Sequence, residues 1–195
     1  MMQLTKNFHL NELLHSDHSL RIGGRLLAEQ RNPAPHILEN LKQLVYTTLQ
    51  PLRDYLNTSI HITSGYRCPA LNKRIGGSVI SQHLQGLAAD LKVSQDFFSK
   101  ETTQGVIAAL NKEVECITGK KVSKKVNSNF YLFAAACLMK EELKVDQLIH
   151  EHGQAGRPDW VHISMVEWES RGQILKIDSR GVQKLSVSDA LSLGC

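Results

Sequence analysis

The sequence is poor in proline and contains no long apolar run and no repeat, which excludes several protein classes. Its five prolines and thirteen glycines among 195 residues exclude collagen-like sequences and proline-rich linkers. It lacks an apolar run long enough for a signal peptide or a membrane span, and it has no internal repeat or low-complexity tract. Its composition is that of a folded domain, because 42% hydrophobic and 22% charged residues are close to the averages of globular proteins.

The four cysteines (Cys68, Cys116, Cys137 and Cys195) lie far apart, and no Cys-x-x-Cys pair is present. A disulfide framework usually belongs to a smaller, denser secreted chain, so we interpret these residues as free thiols of a reducing compartment. Together with the missing signal peptide, this predicts a protein that is soluble and cytoplasmic as synthesised. If it acts outside the membrane, a separate hole-forming partner must release it.

The charge of the chain is only mildly positive. Twenty-three Lys and Arg against nineteen Asp and Glu give +4 with His neutral. This excess argues only weakly for an anionic partner, so we expect neither nucleic acid nor a membrane as a partner, and we expect a monomer. The lysines between Lys120 and Lys125 either approach an anionic polymer or, as is commoner, belong to an exposed insertion.

Apolar spacing predicts helices in several segments. Apolar residues recur at intervals of three and four from Ile37 to Leu56, which predicts a helix that Pro51 kinks or divides. A second helix is predicted over Phe130 to Leu143, and helix-like spacing also occurs within residues 94–128. Before these helices, the apolar side chains of Phe8 to Asp17 predict a short arm that is pinned onto the body.

Alternation of apolar and polar residues predicts strands, most of them late in the chain. The predicted strands are Ser59 to Thr63, Ala88 to Val93, Gln147 to His152, Trp160 to Met165, and a hairpin of Gln173 to Ile177 with Val182 to Leu185. Because helices come first and no βαβ rhythm follows, we expect an α+β fold with a largely antiparallel sheet. We divide this single domain into an N-terminal arm (1–34), a core (35–165) and a C-terminal hairpin and tail (166–195).

Two of the predicted strands carry a polar side chain on the face opposite to their apolar residues. In Trp160 to Met165 this residue is His162, and in Ala88 to Val93 it is Asp90. If the strands are neighbours, an imidazole and a carboxylate share one cleft, which His83 joins from a loop. Two neutral imidazoles and a carboxylate, with a fourth position for water, are a recurring ligand set of catalytic zinc. The alternative from spacing alone is an isolated aspartate and two surface histidines.

Three motifs in order resemble a known family. The segment Ser81 to Asp90 fits Ser-x-His-x-x-Gly-x-Ala-x-Asp, which resembles the zinc D-Ala-D-Ala carboxypeptidases. That superfamily also contains the vancomycin-resistance D,D-dipeptidases, phage endolysins and the Hedgehog signalling domain. Ile62 to Pro69 and Trp160 to Ser164 match the same family in the right order. The resemblance covers about residues 35–165, and the arm looks like the phage-associated branch.

The resemblance implies a Hedgehog/D,D-peptidase-like fold with one zinc ion per chain, held by His83, Asp90 and His162. The implied reaction is hydrolysis of amide bonds in peptidoglycan stem peptides by metal-activated water, in a D-Ala-D-Ala carboxypeptidase or an endolysin-like endopeptidase. The alternative is a non-catalytic zinc-binding module of the same fold, which serves a phage or prophage as a structural or wall-binding component.

The same resemblance implies roles for three further residues. Asp159, three residues before the last ligand, falls at the position of the family's catalytic carboxylate, and its spacing places it in the turn that enters the strand. Arg67 matches an arginine that faces the substrate carbonyl, where its charge would stabilise an oxyanion. Ser81 matches a residue that hydrogen-bonds the substrate, or it is a turn serine. Because a binding-only relative needs neither Asp159 nor Arg67, their presence favours the enzyme.

His150 and His152 form a second candidate group. They lie two residues apart in a predicted strand, so both side chains should share one face while Glu151 points the other way. Such a pair is either an accessory metal site or, more often, a solvated edge. Glu151 is also the other carboxylate that would serve as the catalytic base if Asp159 does not.

Overall fold

The computed structural model describes residues 2–195, and its N-terminal part is helical. The first five helices are α1 (Leu10–Leu14), α2 (Asp17–Ile22), α3 (Gly24–Arg31), α4 (Pro35–Gln43) and α5 (Gln50–Leu56). A π-helical segment, Leu44–Leu49, joins α4 to α5. The predicted long helix is therefore divided just before Pro51, which has no amide hydrogen to donate to the preceding turn.

Six strands and four more helices complete the fold. The strands are β1 (Ile60–Ser64), β2 (Ala88–Val93), β3 (Val145–Glu151), β4 (Trp160–Met165), β5 (Gln173–Asp178) and β6 (Gly181–Leu185). The helices are α6 (Pro69–Arg74), α7 (Glu101–Thr118), α8 (Ser128–Leu138) and α9 (Val187–Ser192), with 3-10 turns at Gln82–Gln85 and Gln95–Phe98. Within residues 2–195 the strands form one sheet in the order β1-β2-β4-β3-β5-β6, in which β3 and β5 pair in parallel and the other neighbours antiparallel. The expected α+β fold with a largely antiparallel sheet is confirmed.

Helix α8 covers one face of the sheet and fills the core. Nearly all of its residues are buried, and it packs against β2, β3 and β4. The residues of β2 and β4 that alternate toward it, including Leu91 and Ile163, are fully buried in the same apolar cluster. Because side chains alternate along a strand, Asp90 and His162 lie on the other face, as predicted, where both line a cleft.

The arm packs onto the body as predicted. Phe8 and Leu13 are almost completely buried, and Leu10 packs against the same core. The backbone N–H of Tyr66, which follows β1, donates to the Leu13 carbonyl at 2.8 Å. The approach is so close that a Cβ atom at Gly65 would collide with the backbone of Leu13. The arm is thereby connected to the turn after β1.

Several predicted boundaries differ from the structure by one or more residues, and a positive φ explains two of these differences. Helix α8 ends at Leu138 rather than Leu143, because turns follow it and Lys144, with φ of 53°, reverses the chain into β3. Strand β3 ends at Glu151 rather than His152, whose φ of 52° takes the chain out of the extended conformation. Helices α2, α3, α6 and α9 were not expected from apolar spacing, because each is only six to eight residues long.

All four cysteines are free thiols in the structure. Burial raises the pKa of Cys137 to about 12, so this thiol stays protonated and unreactive at neutral pH. Cys116 and Cys195 are exposed. Among the helices of residues 2–195, none is long and apolar enough to cross a bilayer.

Candidate metal centre

Three buried side chains converge on the open face of the sheet. His83 Nε2 lies 3.2 Å from both Asp90 Oδ1 and His162 Nδ1, and the last two atoms are 2.9 Å apart. Asp90 of β2 and His162 of β4 are directly paired across the two strands, and His83 comes from the 3-10 turn before β2. The structure thus brings together the three residues that the sequence predicts as metal ligands.

The orientation of His83 is fixed from behind. Its Nδ1 lies 2.6 Å from the carbonyl oxygen of Gly65. Because a carbonyl only accepts, Nδ1 carries the proton and Nε2 presents a lone pair to the other two residues. Gly86, with φ of 69°, ends the 3-10 turn and returns the chain into β2.

Arg67 holds the carboxylate of Asp90. Its Nη2 donates to Asp90 Oδ2 at 2.5 Å and its Nε donates to Ser64 Oγ at 2.8 Å. Oδ1 is therefore left to face the two imidazoles. Burial by itself would raise the pKa of Asp90, but the charges and hydrogen bonds of His83 and His162 hold it well below its usual range. The carboxylate is an ionised acceptor next to two imidazoles.

The turn that carries Arg67 is held by α3 of the arm. The fully buried amide of Gln30 donates to the carbonyls of Leu14, at 3.1 Å, and Tyr66, at 2.7 Å. Its Oε1 accepts the backbone N–H of Cys68 at 2.9 Å. One side chain therefore satisfies the backbone on both sides of Arg67 and links the arm to the site.

The three converging atoms fit a zinc ion. Tetrahedral zinc, with bonds of about 2.0–2.1 Å to nitrogen and oxygen, separates its ligand atoms by about 3.3 Å, close to the 2.9–3.2 Å found here. Within residues 2–195, His83, Asp90 and His162 are the only group of three or more metal-ligating side chains whose donor atoms all lie within 4.8 Å of one another. Two imidazoles and one carboxylate, supported by Gly65 and Arg67, are a donor set typical of catalytic zinc.

The centre lies in a cleft of about 410 Å³. Besides the three ligands and Arg67, the lining residues are Ser78, Ile80, Ser81, Gln82, Gln147, Ile149, Glu151, Trp160 and Arg171. Ser81, which the resemblance assigns to substrate binding, therefore lies where a substrate would lie, although its role stays a prediction. The two arginines and the polar side chains of Gln147 and Glu151 make the cleft suited to a polar, peptide-like ligand.

The two candidate carboxylates occupy different positions. Glu151, at the end of β3 and paired with Trp160 of β4, lines the cleft. Burial raises the pKa of Glu151, and the negative charge of Asp90 raises it further. Asp159 lies in the bend before β4, as its spacing predicted, but it is exposed and is not among the lining residues. Its catalytic role stays a prediction.

The interpretation of His150 and His152 as a pair on one face is wrong. His150 is completely buried, and its ring packs edge-on against Phe133 of α8 with 5.6 Å between centroids. His152 is exposed beyond the end of β3 and packs against Trp160 at 5.0 Å. The positive φ of His152 breaks the alternation on which the prediction depended. His150 is therefore neither part of a metal pair nor a residue of a solvated edge.

A polar cluster at the other end of the cleft was not anticipated. Buried Asp146 accepts from Arg171 Nε, at 3.0 and 3.1 Å, and from the Arg171 backbone N–H at 2.8 Å. Gln82 donates to Asp146 Oδ2 at 2.9 Å, and its Oε1 accepts from Ser164 Oγ at 2.8 Å and Arg171 Nη2 at 3.1 Å. The position of Gln82 next to His83 was a signal in the sequence, but nothing local connects Asp146 with Arg171.

The lysine-rich segment lies away from the cleft. Lys120, Lys121, Lys124 and Lys125 are exposed, and none of them lines the cleft. The neighbouring Ser123 N–H donates to the carbonyl of Gly194 at 2.7 Å, which places the segment against the C-terminal residues. The four lysines are therefore exposed away from the cleft, and their exposure agrees with both interpretations.

Comparison with known proteins gives one family. The family model described as Peptidase M15 matches residues 6–119, which is more than half of the chain. The match begins in the arm and includes His83 and Asp90, whereas His162 and Glu151 lie beyond it and are placed by the geometry of the sheet. No curated protein matches the chain.

Proposed function

Since this chain belongs to the peptidase M15 family of the zinc D-Ala-D-Ala carboxypeptidases, we propose that it is a zinc peptidase that hydrolyses amide bonds of peptidoglycan stem peptides. The observation that carries the proposal is the convergence of His83, Asp90 and His162 at the base of an open cleft. A closed structural site would use a fourth protein ligand, whereas three ligands beside a cleft leave a position for water.

His83 Nε2, Asp90 Oδ1 and His162 Nδ1 would hold the ion. Bound there, zinc supplies a water molecule of lowered pKa and polarises the carbonyl group of the substrate. The protein keeps its ligands in place before any ion arrives, because Gly65 fixes the tautomer of His83 and Arg67 fixes the carboxylate of Asp90.

We assign proton transfer to Glu151. Its carboxylate lines the cleft from β3, the strand next to the one that carries His162. Burial raises the pKa of Glu151, so its carboxylate accepts a proton more readily than an exposed glutamate does. In this assignment Glu151 takes a proton from the attacking water and returns it to the nitrogen of the leaving amine. Asp159, at the position implied by the resemblance, is the alternative, and substitution of each residue separates the two.

Arg67 and Ser81 would orient the peptide. The guanidinium of Arg67 lines the cleft while two of its nitrogens bind Asp90 and Ser64, so a further N–H can donate to the carbonyl oxygen that becomes negative during attack. The hydroxyl group of Ser81 lies at the cleft wall and can donate to, or accept from, the peptide backbone.

The proposal is tested by incubating the zinc-loaded protein with purified muropeptides and analysing the products by mass spectrometry. We expect either the release of a terminal D-alanine or the cleavage of a peptide bond, and the same sample of His162→Ala protein should give neither. A wild-type protein that binds zinc stoichiometrically but leaves every muropeptide intact would overturn the proposal and favour the non-catalytic module.

A further inference from the structure

The cleft contains a second arginine whose position is determined by a buried carboxylate. Arg171 precedes β5, outside the segment that the family model matches, and its side chain is about half exposed. Asp146, with 3% of its side chain exposed, binds the guanidinium through both oxygens. A two-point contact of this kind fixes the plane of a guanidinium far better than a single ion pair on a surface.

The rest of the cluster keeps this arginine in the cleft. The Gln82 side chain donates to Asp146 and accepts from Arg171 Nη2, and Ser164 of β4 orients the Gln82 oxygen. A guanidinium carries five N–H groups, and the contacts within residues 2–195 use Nε and Nη2. The Nη1 group is left for a ligand in the cleft that Arg171 lines.

The two ends of the cleft are connected through neighbouring residues. Gln82 precedes His83 in the same 3-10 turn, and Ser164 lies two residues after His162 on the same face of β4. A peptide whose scissile bond lies at the metal centre would therefore extend within one or two residues toward Arg171. At that end a negative group of the ligand meets the Nη1 group of a guanidinium whose orientation is fixed by Asp146 and Gln82.

We propose that Arg171, positioned by Asp146 and Gln82, binds a carboxylate of the substrate and thereby selects anionic peptides. The inference rests on the proposed function, because it assigns the substrate class of the same cleft. Stem peptides offer two such carboxylates, the C-terminal one beside the bond cut by a carboxypeptidase and the α-carboxylate of a γ-linked D-glutamate beside the bond cut by an endopeptidase. Both have the chemistry that a fixed guanidinium recognises.

The test uses two matched peptide pairs with the zinc-loaded full chain. One pair is a peptide ending in D-Ala-D-Ala with a free C-terminal carboxylate and its C-terminal amide, and the other is a γ-D-glutamyl peptide with a free α-carboxylate and its α-amide. We expect the wild type to prefer the acid in one pair by about 10–100-fold in kcat/KM, the range of a charge-assisted hydrogen bond. The pair that shows the preference identifies which carboxylate binds.

Arg171→Gln should reduce this preference to nearly one, mainly by slowing the reaction of the acid. Because this change leaves Asp146 buried without its partner, the Arg171→Gln/Asp146→Asn double variant repeats the measurement with a neutral pair. Arg180→Gln is the matched control, since Arg180 also pairs with an aspartate, Asp178, but lies outside the cleft. It should keep the wild-type preference.

Equal loss of rate for acid and amide in both variants would show a merely structural role and overturn the inference, as would a wild type with no preference in either pair. Equilibrium binding of the same four peptides is measured by calorimetry in parallel. An acid preference in binding that depends on Arg171, without hydrolysis, would overturn the proposed function alone. Hydrolysis without such a preference would overturn this inference alone.

Discussion

The buried histidines on the two faces of the central sheet have opposite surroundings. On the open face, His83, Asp90 and His162 contact one another, and Asp146 binds Gln82 and Arg171. On the covered face, His150 of β3 lies under α8, and neither of its ring nitrogens has a hydrogen-bond partner. The open face is therefore a connected polar network. On the covered face, the buried ion pair of Lys176 with Asp178 lies beside His150, whose own ring makes no hydrogen bond.

This difference predicts which substitutions change function and which change stability. A satisfied network keeps charged groups ionised and oriented for a ligand, and removing one member changes ligand binding first. A buried group without partners contributes only its desolvation cost, which depends on pH when the group can be protonated. Substitutions on the open face should therefore change zinc binding and hydrolysis, and substitution of His150 should change the free energy of unfolding.

The largest expected effect follows from loss of an imidazole on the open face. His83→Ala and His162→Ala should each reduce bound zinc from one per chain to near zero and lower kcat/KM by at least about 10³-fold, because the ion supplies several kcal/mol of transition-state stabilisation. Elemental analysis after dialysis measures the zinc. His152→Ala changes an exposed histidine just after β3 and is the control, which should retain the ion. Stoichiometric zinc in both ligand variants would refute the site.

The next largest effect distinguishes the two carboxylates. Glu151→Gln should lower kcat by about 10²–10⁴-fold, the usual contribution of a general base, because the amide has the same shape but cannot accept the proton. Zinc content should remain at the wild-type value. Asp159→Asn, the matched change at the exposed residue, should cost less than about tenfold. The opposite order of the two rates would move the base to Asp159, as the family resemblance implies.

On the covered face, His150→Leu should change stability and leave hydrolysis unaltered. Burial lowers the pKa of His150 from about 6.5 to about 4 in the folded chain, so between these values the unfolded chain binds a proton that the folded chain does not. Stability from this residue is therefore present above about pH 6.5 and decreases as the pH falls toward 4, by up to about 3 kcal/mol.

Urea unfolding at several pH values in the presence of a chelator measures this effect without competition from zinc. The difference in stability between pH 7 and pH 4.5 should be smaller for His150→Leu than for the wild type. His36→Gln, a change at an exposed histidine, should follow the wild type. Parallel pH profiles for His150→Leu and the wild type would contradict the assignment of an unpartnered, neutral His150.

The smallest effect concerns the apolar rim of the open face. Ile80 lines the cleft although 86% of it is exposed, so Ile80→Ser should change the free energy of unfolding by less than about 0.5 kcal/mol. We expect KM for peptides with D-alanine methyl groups to rise by a few-fold, because part of one apolar contact is lost. Val79→Ser, at the equally exposed neighbour that does not line the cleft, is the control. An unchanged KM for Ile80→Ser would show that Ile80 makes no useful contact with the substrate.

Much of the sheet could be predicted from alternation alone. The bounds of β2 and β4 agree with the prediction, because each strand has one buried face whose apolar residues repeat every second position. This regularity also placed Asp90 and His162 on the open face. The short helix α9 could not be predicted from apolar periodicity, because it begins at a local capping box between Ser186 and Asp189.

The rest of the cleft could not be predicted for two physical reasons. The register of β3 shifts between Val145 and Gln147, which removes Asp146 from simple alternation. Its partner Arg171 comes from a loop 25 residues later, and a long-range ion pair leaves no periodic signal. Alternation along the strand predicts that Glu151 lies on the face opposite to His150. Its position in the cleft, however, depends on the pairing of β3 with β4, which the sequence does not show.

X-ray diffraction from crystals of the zinc-loaded protein, at energies above and below the zinc absorption edge, can locate the ion itself. We expect one anomalous peak per chain, within about 2.0–2.2 Å of His83 Nε2, Asp90 Oδ1 and His162 Nδ1. A peak at another position, such as the exposed His152, with none between these three atoms, would contradict a zinc centre on the open face.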